Sequence, residues 1–119
     1  SNNNNDNNNK STINVNEIKS IMLSSIQSII SNEKYESKKV PLWSKNIVKQ
    51  VLSKLVELNK YLEYDYKYVV NCIILEETGS GLHSTSSCLW DKHSDINLFN
   101  KYINDTIFCV VSVWILRCN

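Results

Sequence analysis

The run Thr106 to Leu116 is apolar at almost every position, and this limits what the chain can fold into. In a strand, alternate residues face opposite sides. Phe108, Val110, Trp114 and Leu116 then share one face, and Ile107, Cys109, Val111, Val113 and Ile115 share the other. Such a strand needs apolar cover on both faces, so it belongs inside a sheet. It is not a membrane span, because Ile107 to Leu116 is too short for a bilayer and Ser112 interrupts it.

Two segments upstream can supply cover. Val15 to Ser31 carries Val15, Ile18, Met22, Ile26, Ile29 and Ile30 at mostly three- and four-residue steps, which places them on one helical face. Asn14 followed by Glu17 suits an N-cap with a reciprocating carboxylate. After a polar linker, Asn32 to Lys39, Pro41 opens a second amphipathic helix. Its stripe is Trp43, Ile47, Val48, Val51, Leu52, Leu55 and Leu58, and it ends near Asn59–Lys60. Residues 1–12 are an Asn-rich tail with almost nothing apolar to bury. They are expected to be disordered, and the domain to occupy residues 13–119.

Beyond Lys60 the period becomes that of strands. Tyr66 to Leu75 has an amphipathic or apolar residue at every even position (Tyr66, Tyr68, Val70, Cys72, Ile74), which predicts one buried face. Gly79 and Gly81 bracket Ser80 in a reversal or crossover. Leu82 to Trp90 follows, with the small polar row Ser84, Thr85, Ser86 and Ser87. Asp91 to Asp95 reads as a polar turn, Ile96 to Ile103 as a short strand, and Asn104–Asp105 as a tight hairpin turn whose residue types tolerate positive φ. Two helices and then four strands is an α+β order, with both helices on one face of an antiparallel sheet. The remaining apolar face asks for a partner, and the simplest is a second copy. The dimer face of the sheet is assigned to Cys109, Val111, Val113 and Ile115.

The residues favour binding over catalysis. Net charge is +1, from 13 basic and 12 acidic side chains, which supplies no basic face for nucleic acid. The chain opens on polar Asn with no apolar leader, so its cysteines are read as thiols of a reducing compartment. Cys72, Cys88, Cys109 and Cys118 have no Cys-x-x-Cys spacing, and no metal or other cofactor is expected. His83 and Cys88 are the nearest approach to a nucleophile pair, but five residues apart in a strand they point to opposite faces. Glu76, Glu77, Asp91 and Asp95 fall at strand ends and turns. Trp43, Trp90 and Trp114 fit core packing better than a ligand box.

One stretch carries a family likeness. Tyr68-Val69-Val70-Asn71-Cys72-Ile73-Ile74-Leu75, then Gly79-Ser80-Gly81-Leu82-His83-Ser84-Thr85-Ser86-Ser87-Cys88-Leu89-Trp90-Asp91, resembles the central signature of the Tctex-type dynein light chains. The likeness runs from about Val15 to the C-terminus and is weakest over Asn97 to Ile103. It implies a non-catalytic homodimer with no membrane insertion, located in the cytoplasm on the cytoskeleton or in an axoneme. Leu82, His83, Ser84, Thr85, Ser86, Ser87, Cys88, Leu89 and Trp90 would form a strand that crosses to the partner's sheet, in the order third–fourth–first–second′. The same strand would offer an edge to a peptide of the dynein intermediate chain, and cargo proteins are further partners it suggests. The alternative within the fold is a dynein-independent adaptor that dimerises other disordered clients. A small enzyme is the alternative of a different class.

Overall fold

The computed structural model describes residues 10–79 and 95–118. Helix α1 spans Val15–Ile30 and α2 spans Val40–Asn59, joined through a short 3-10 turn at Ser37–Lys39. Three strands follow: β1 at Tyr66–Glu76, β2 at Ile96–Ile103 and β3 at Ile107–Arg117. They form an antiparallel sheet in the order β1-β3-β2, with the apolar strand at the centre. The chain is therefore α+β, with two helices on a sheet. The stretch expected to form one more strand, Leu82 to Trp90, lies outside the described residues, and so does the tail through Asn9.

Both helices start and pack as their sequences require. The Asn14 side chain accepts a hydrogen bond from the Glu17 backbone N–H (3.2 Å), which satisfies one of the open donors at the start of α1. Pro41 sits in the first turn of α2, where a missing N–H costs nothing. Ile18, Met22, Ile26 and Ile30 of α1 and Trp43, Ile47, Val51 and Leu55 of α2 are buried in one cluster with the sheet. α1 lies over β2 and α2 over β1, and their side chains close over β3 between them. Val15 is the exception in the first stripe, being 38% exposed at the helix start.

Both helices lie on one face of the sheet, and here an expectation is corrected. Cys109, Val111, Val113 and Ile115 are each 0% exposed, packed with Ile74, Leu98 and both helices. The face assigned to a second copy is therefore the face that the chain's own helices occupy. The opposite face carries Val69, Ile73 and Leu75 of β1, Phe99 and Ile103 of β2, and Phe108, Val110, Trp114 and Leu116 of β3. Register decides the matter. Val111 stands opposite Cys72 and Asn100, and the Asn100 amide donates to the Lys19 carbonyl of α1 (2.9 Å), so this parity points to the helices.

Two further details depart from the sequence reading. Ser11, expected to be disordered, pairs with the segment after α2. Its N–H donates to the Tyr61 carbonyl (3.0 Å), and its carbonyl accepts from the Glu63 N–H (2.8 Å). At the β2–β3 hairpin the work is done by a side chain. Asn104 Oδ1 accepts from the Thr106 and Ile107 N–H groups (3.0 and 2.7 Å), and Asn104 Nδ2 donates to the Glu33 carbonyl (3.3 Å). Thr106 Oγ1 accepts from the Tyr35 N–H (2.8 Å), so the hairpin is tied to the linker between the helices.

Two variants test this packing. Val111→Asp places a charge without a partner under the helices and should destabilise the single chain by several kcal/mol. A fall in the urea midpoint that does not depend on protein concentration is the expected result. Asn104→Ala leaves two backbone donors unpaired at the hairpin and should cost about 1–3 kcal/mol in the same measurement.

Candidate functional site: an open strand edge and an uncovered sheet face

β1 pairs with β3 on one side only, so among the described strands its other edge is open. An open edge presents backbone N–H and C=O groups that another strand can pair with. Prolines and dense charge are the usual blocks. β1 has no proline, and Lys67 and Glu76 stand only near its two ends. Beside this edge runs a shallow groove of about 500 Å³ lined by Ser44, Lys45, Val48, Lys49 and Leu52 of α2 with Asn71 and Cys72 of β1. Its walls are mainly the apolar stems of these side chains, with the two lysines at the rim.

Asn59 sets the height of α2 over the strand. Its Oδ1 accepts from the Tyr66 N–H (3.3 Å) and from the Tyr68 hydroxyl (3.0 Å), which joins the last turn of α2 to the first residues of β1. At the same end the Cys118 N–H donates to the Asp65 carbonyl (2.9 Å), and the Arg117 guanidinium lies 3.5 Å from the centre of the Tyr64 ring. At the far end β1 runs out at Glu76. Gly79 then takes φ +77°, with its N–H donating to Glu77 Oε1 (2.8 Å). That left-handed step is one only glycine makes without strain.

The face away from the helices is broadly apolar; along β3 it is already buried at Phe108 and Val110 (3% and 8% exposed), and along β1 it is exposed. Val69, Ile73 and Leu75 are 51%, 46% and 45% exposed, and Ile103 is 48% exposed. They lie in rows with the β3 side chains: Val69 beside Trp114, Ile73 beside Val110, Leu75 beside Phe108. Large apolar side chains gathered on one face of a sheet mark an interaction surface more often than a water-facing one. Asn71 opposite Ser112 forms the polar interruption in the middle.

The nine residues Leu82 to Trp90, with the His83 and Cys88 pair weighed above, lie outside the described residues. The four dimer-face residues are together, but in the core. The edge of β1 and its groove were missed, because α2 and β1 meet there only through folding. Among the described residues no group of three or more His, Cys, Asp or Glu side chains is placed to hold a metal ion. No described helix is long and apolar enough to cross a membrane.

An α+β chain with paired helices on one sheet face, an open strand edge and an apolar second face has the form of a protein-binding module. The Tctex-1 family model matches residues 12–116. Among curated proteins, a Tctex-type dynein light chain of Dictyostelium discoideum is 38% identical over 100 residues, 84% of this chain and 87% of the relative. Tctex-type 3 of Homo sapiens is 33% identical over 101 residues, covering 85% and 84% of the two chains. The Drosophila melanogaster protein is 31% identical over 100 residues, covering 84% and 86%. The chain belongs to the Tctex-1 family. The names of these relatives describe a light chain of a motor and no reaction.

The Asn59 junction gives a pH prediction. Burial, with the neighbouring Tyr66 adding to it, pushes the Tyr68 phenol from 10.0 up to about 12. Between these values the unfolded chain loses the proton first, so stability present below pH 10 falls as pH rises through about 12. Tyr68→Phe should flatten that alkaline decline in urea titrations, while losing the Asn59 hydrogen bond lowers the midpoint at pH 8 by about 1 kcal/mol.

Proposed function

We propose that the chain is a non-catalytic light chain of the dynein motor complex: a homodimer that binds an extended segment of the dynein intermediate chain and tethers cargo. The observation that carries this reading is the open edge of β1 beside the α2 groove, next to an apolar face that the chain's own helices leave bare. Both features call for added polypeptide. Among the described strands β1 has no pairing partner on its outer edge, and its side chains Val69, Ile73 and Leu75 stay exposed.

A second copy meets both needs. The segment Leu82 to Trp90 of one protomer adds along β1 of the other, which extends the described order β2-β3-β1 by the strand that the family likeness implies. The uncovered faces, with Val69, Ile73, Phe99, Trp114 and Leu116, then cover one another. Stacked sheet faces of this kind pack about 10 Å apart with interdigitating side chains. This replaces the buried face carrying Val111 as the proposed dimer surface.

The added strand leaves a new outer edge, and its small side chains Ser84, Thr85, Ser86 and Ser87 let another backbone come close. An intermediate-chain segment adds there as a further strand, with main-chain bonds for affinity and side-chain pockets for selectivity. Two segments held by one dimer gain through effective concentration. On this reading the chain works in the cytoplasm on the cytoskeleton. Motor association is assigned through the relatives' names, and the mode of binding through the edge and face described above.

Two experiments test the reading. In light scattering at micromolar concentration, the wild-type chain should have the mass of a dimer. Val69→Lys combined with Trp114→Lys should give a folded monomer with unchanged helical circular dichroism. A folded wild-type monomer overturns the dimer. Titration with an intermediate-chain segment should then show binding to wild type that is about tenfold weaker in Ser86→Pro, or about 1.4 kcal/mol, for the loss of one backbone donor. Dimer mass is checked in the same samples. Binding that protects the two helices from amide exchange and leaves residues 82–89 unprotected would show the edge mechanism to be wrong. Capture of other clients from extract without any intermediate chain would favour the dynein-independent adaptor.

A further inference from the structure

Cys72 and Cys109 lie on neighbouring strands with their sulfurs 3.7 Å apart. Cys72 stands opposite Val111 and Cys109 opposite Ile74, so the two thiols are diagonal neighbours on the helix-covered side of the sheet. Their surroundings differ. Cys109 is 0% exposed in the core, whereas Cys72 is half-buried and lines the groove beside α2 next to Ser44, Lys45 and Lys49. One thiol is therefore reachable from solvent, and the other waits directly behind it.

We propose that Cys72 and Cys109 form a redox modification site, in which Cys72 reacts with a small peroxide and Cys109 then closes on it as a disulfide between β1 and β3. The Cys72 thiolate sulfur attacks one oxygen of hydrogen peroxide and the O–O bond breaks. Cys72 becomes a sulfenic acid, and the departing hydroxide takes the proton lost from the Cys72 thiol and leaves as water. The Cys109 sulfur attacks the Cys72 sulfur and the S–O bond breaks. The second hydroxide leaves as water with the proton from Cys109. Two thiols are oxidised by two electrons in all, and one peroxide is reduced to two waters.

The hydrogen bonding suits these roles. The hydrogen bond shared with the Cys109 sulfur, opposed by burial and helped by the Ser44 hydroxyl, lowers the Cys72 thiol below the ordinary range. The same bond, and burial after it, holds the proton on Cys109. The groove thiol is thus the readier nucleophile, and the inner one keeps its proton until the sulfenic acid is present. Closing the bond brings the sulfurs from 3.7 Å to about 2.05 Å. Diagonal pairs across a sheet are farther apart than opposed pairs, so the bond forms under strain, and strained disulfides are easily reduced. The modification is therefore reversible.

The test uses the full chain, reduced, freed of reductant and treated with one equivalent of hydrogen peroxide. Remaining thiols are alkylated, and trypsin with a glutamate-specific protease is applied before mass spectrometry. Cleavage at Lys67, Glu76, Glu77, Lys92, Lys101 and Arg117 puts each of the four cysteines on its own peptide. The expected product links the Cys72 and Cys109 peptides and disappears on treatment with dithiothreitol. In Cys109→Ala, Cys72 should instead be trapped as a sulfenic acid by dimedone, and Cys72→Ser should lose the linkage. Circular dichroism of both variants checks that each is folded. A link from Cys72 to Cys88 or Cys118 overturns the proposal, as does sulfinic acid on Cys72 of the wild-type chain with no link to Cys109. If Cys109→Ala does not fold, the wild-type linkage and Cys72→Ser still decide.

Discussion

Ile107, Cys109, Val111, Val113 and Ile115 form one buried seam with Ile18, Met22, Ile26 and Ile30 of α1 and Trp43, Ile47, Val51 and Leu55 of α2. Each large side chain in that seam contributes about 1.5–3 kcal/mol by leaving water, so the set outweighs any other group of contacts in the chain. The helices depend on it as much as the strand does, since isoleucine-rich segments of this length are weak helices by themselves. Because the seam fills one side of β3, the other parity of the same strand is left to face outward. The core under the helices and the apolar face away from them are therefore two consequences of a single register.

The placement of the helices also creates the candidate site. α2 lies over β1 and α1 over β2, and neither reaches past the sheet to shield the outer edge of β1. Asn59 fixes the last turn of α2 to Tyr66 and Tyr68. At the other end Gly79 takes a left-handed φ of +77°. A domain built this way has its buried seam on one side of the sheet and the exposed apolar side chains of β1 on the other. This suits a module of the Tctex-1 family whose relatives are parts of a larger motor.

Much of the architecture was legible from periodicity. The helix starting at Val15, the strand Ile96 to Ile103 and the even-numbered inward face of β1 are where residue spacing puts them. The strand Ile96 to Ile103 emerged although its family likeness is weak, because alternation and a hairpin turn are enough to define it. Other features were hidden. Ser11 looked unable to order itself, yet backbone bonds to Tyr61 and Glu63 need no apolar side chain. The Asn104 turn was foreseen from its residue types, but not that its amide side chain caps two backbone N–H groups. The closeness of Cys72 and Cys109 could not be seen in their spacing, because it follows from the β1–β3 register.

By itself the sequence determined that β3 is apolar on both sides, that its residues fall into two alternating sets, and that two amphipathic helices are available to cover one of them. It could not say which set. Both are rich in large apolar side chains, so hydrophobicity alone gives no preference for the face with Val111 over the face with Trp114. The tertiary structure decided it through a few contacts that have a sense of direction. Asn100 reaches the Lys19 carbonyl, and Tyr68 reaches Asn59 at the end of α2. A hydrogen-bonding group needs a specific partner, whereas an apolar one accepts any apolar neighbour. Those hydrogen bonds fix the parity that the hydrophobic pattern leaves open.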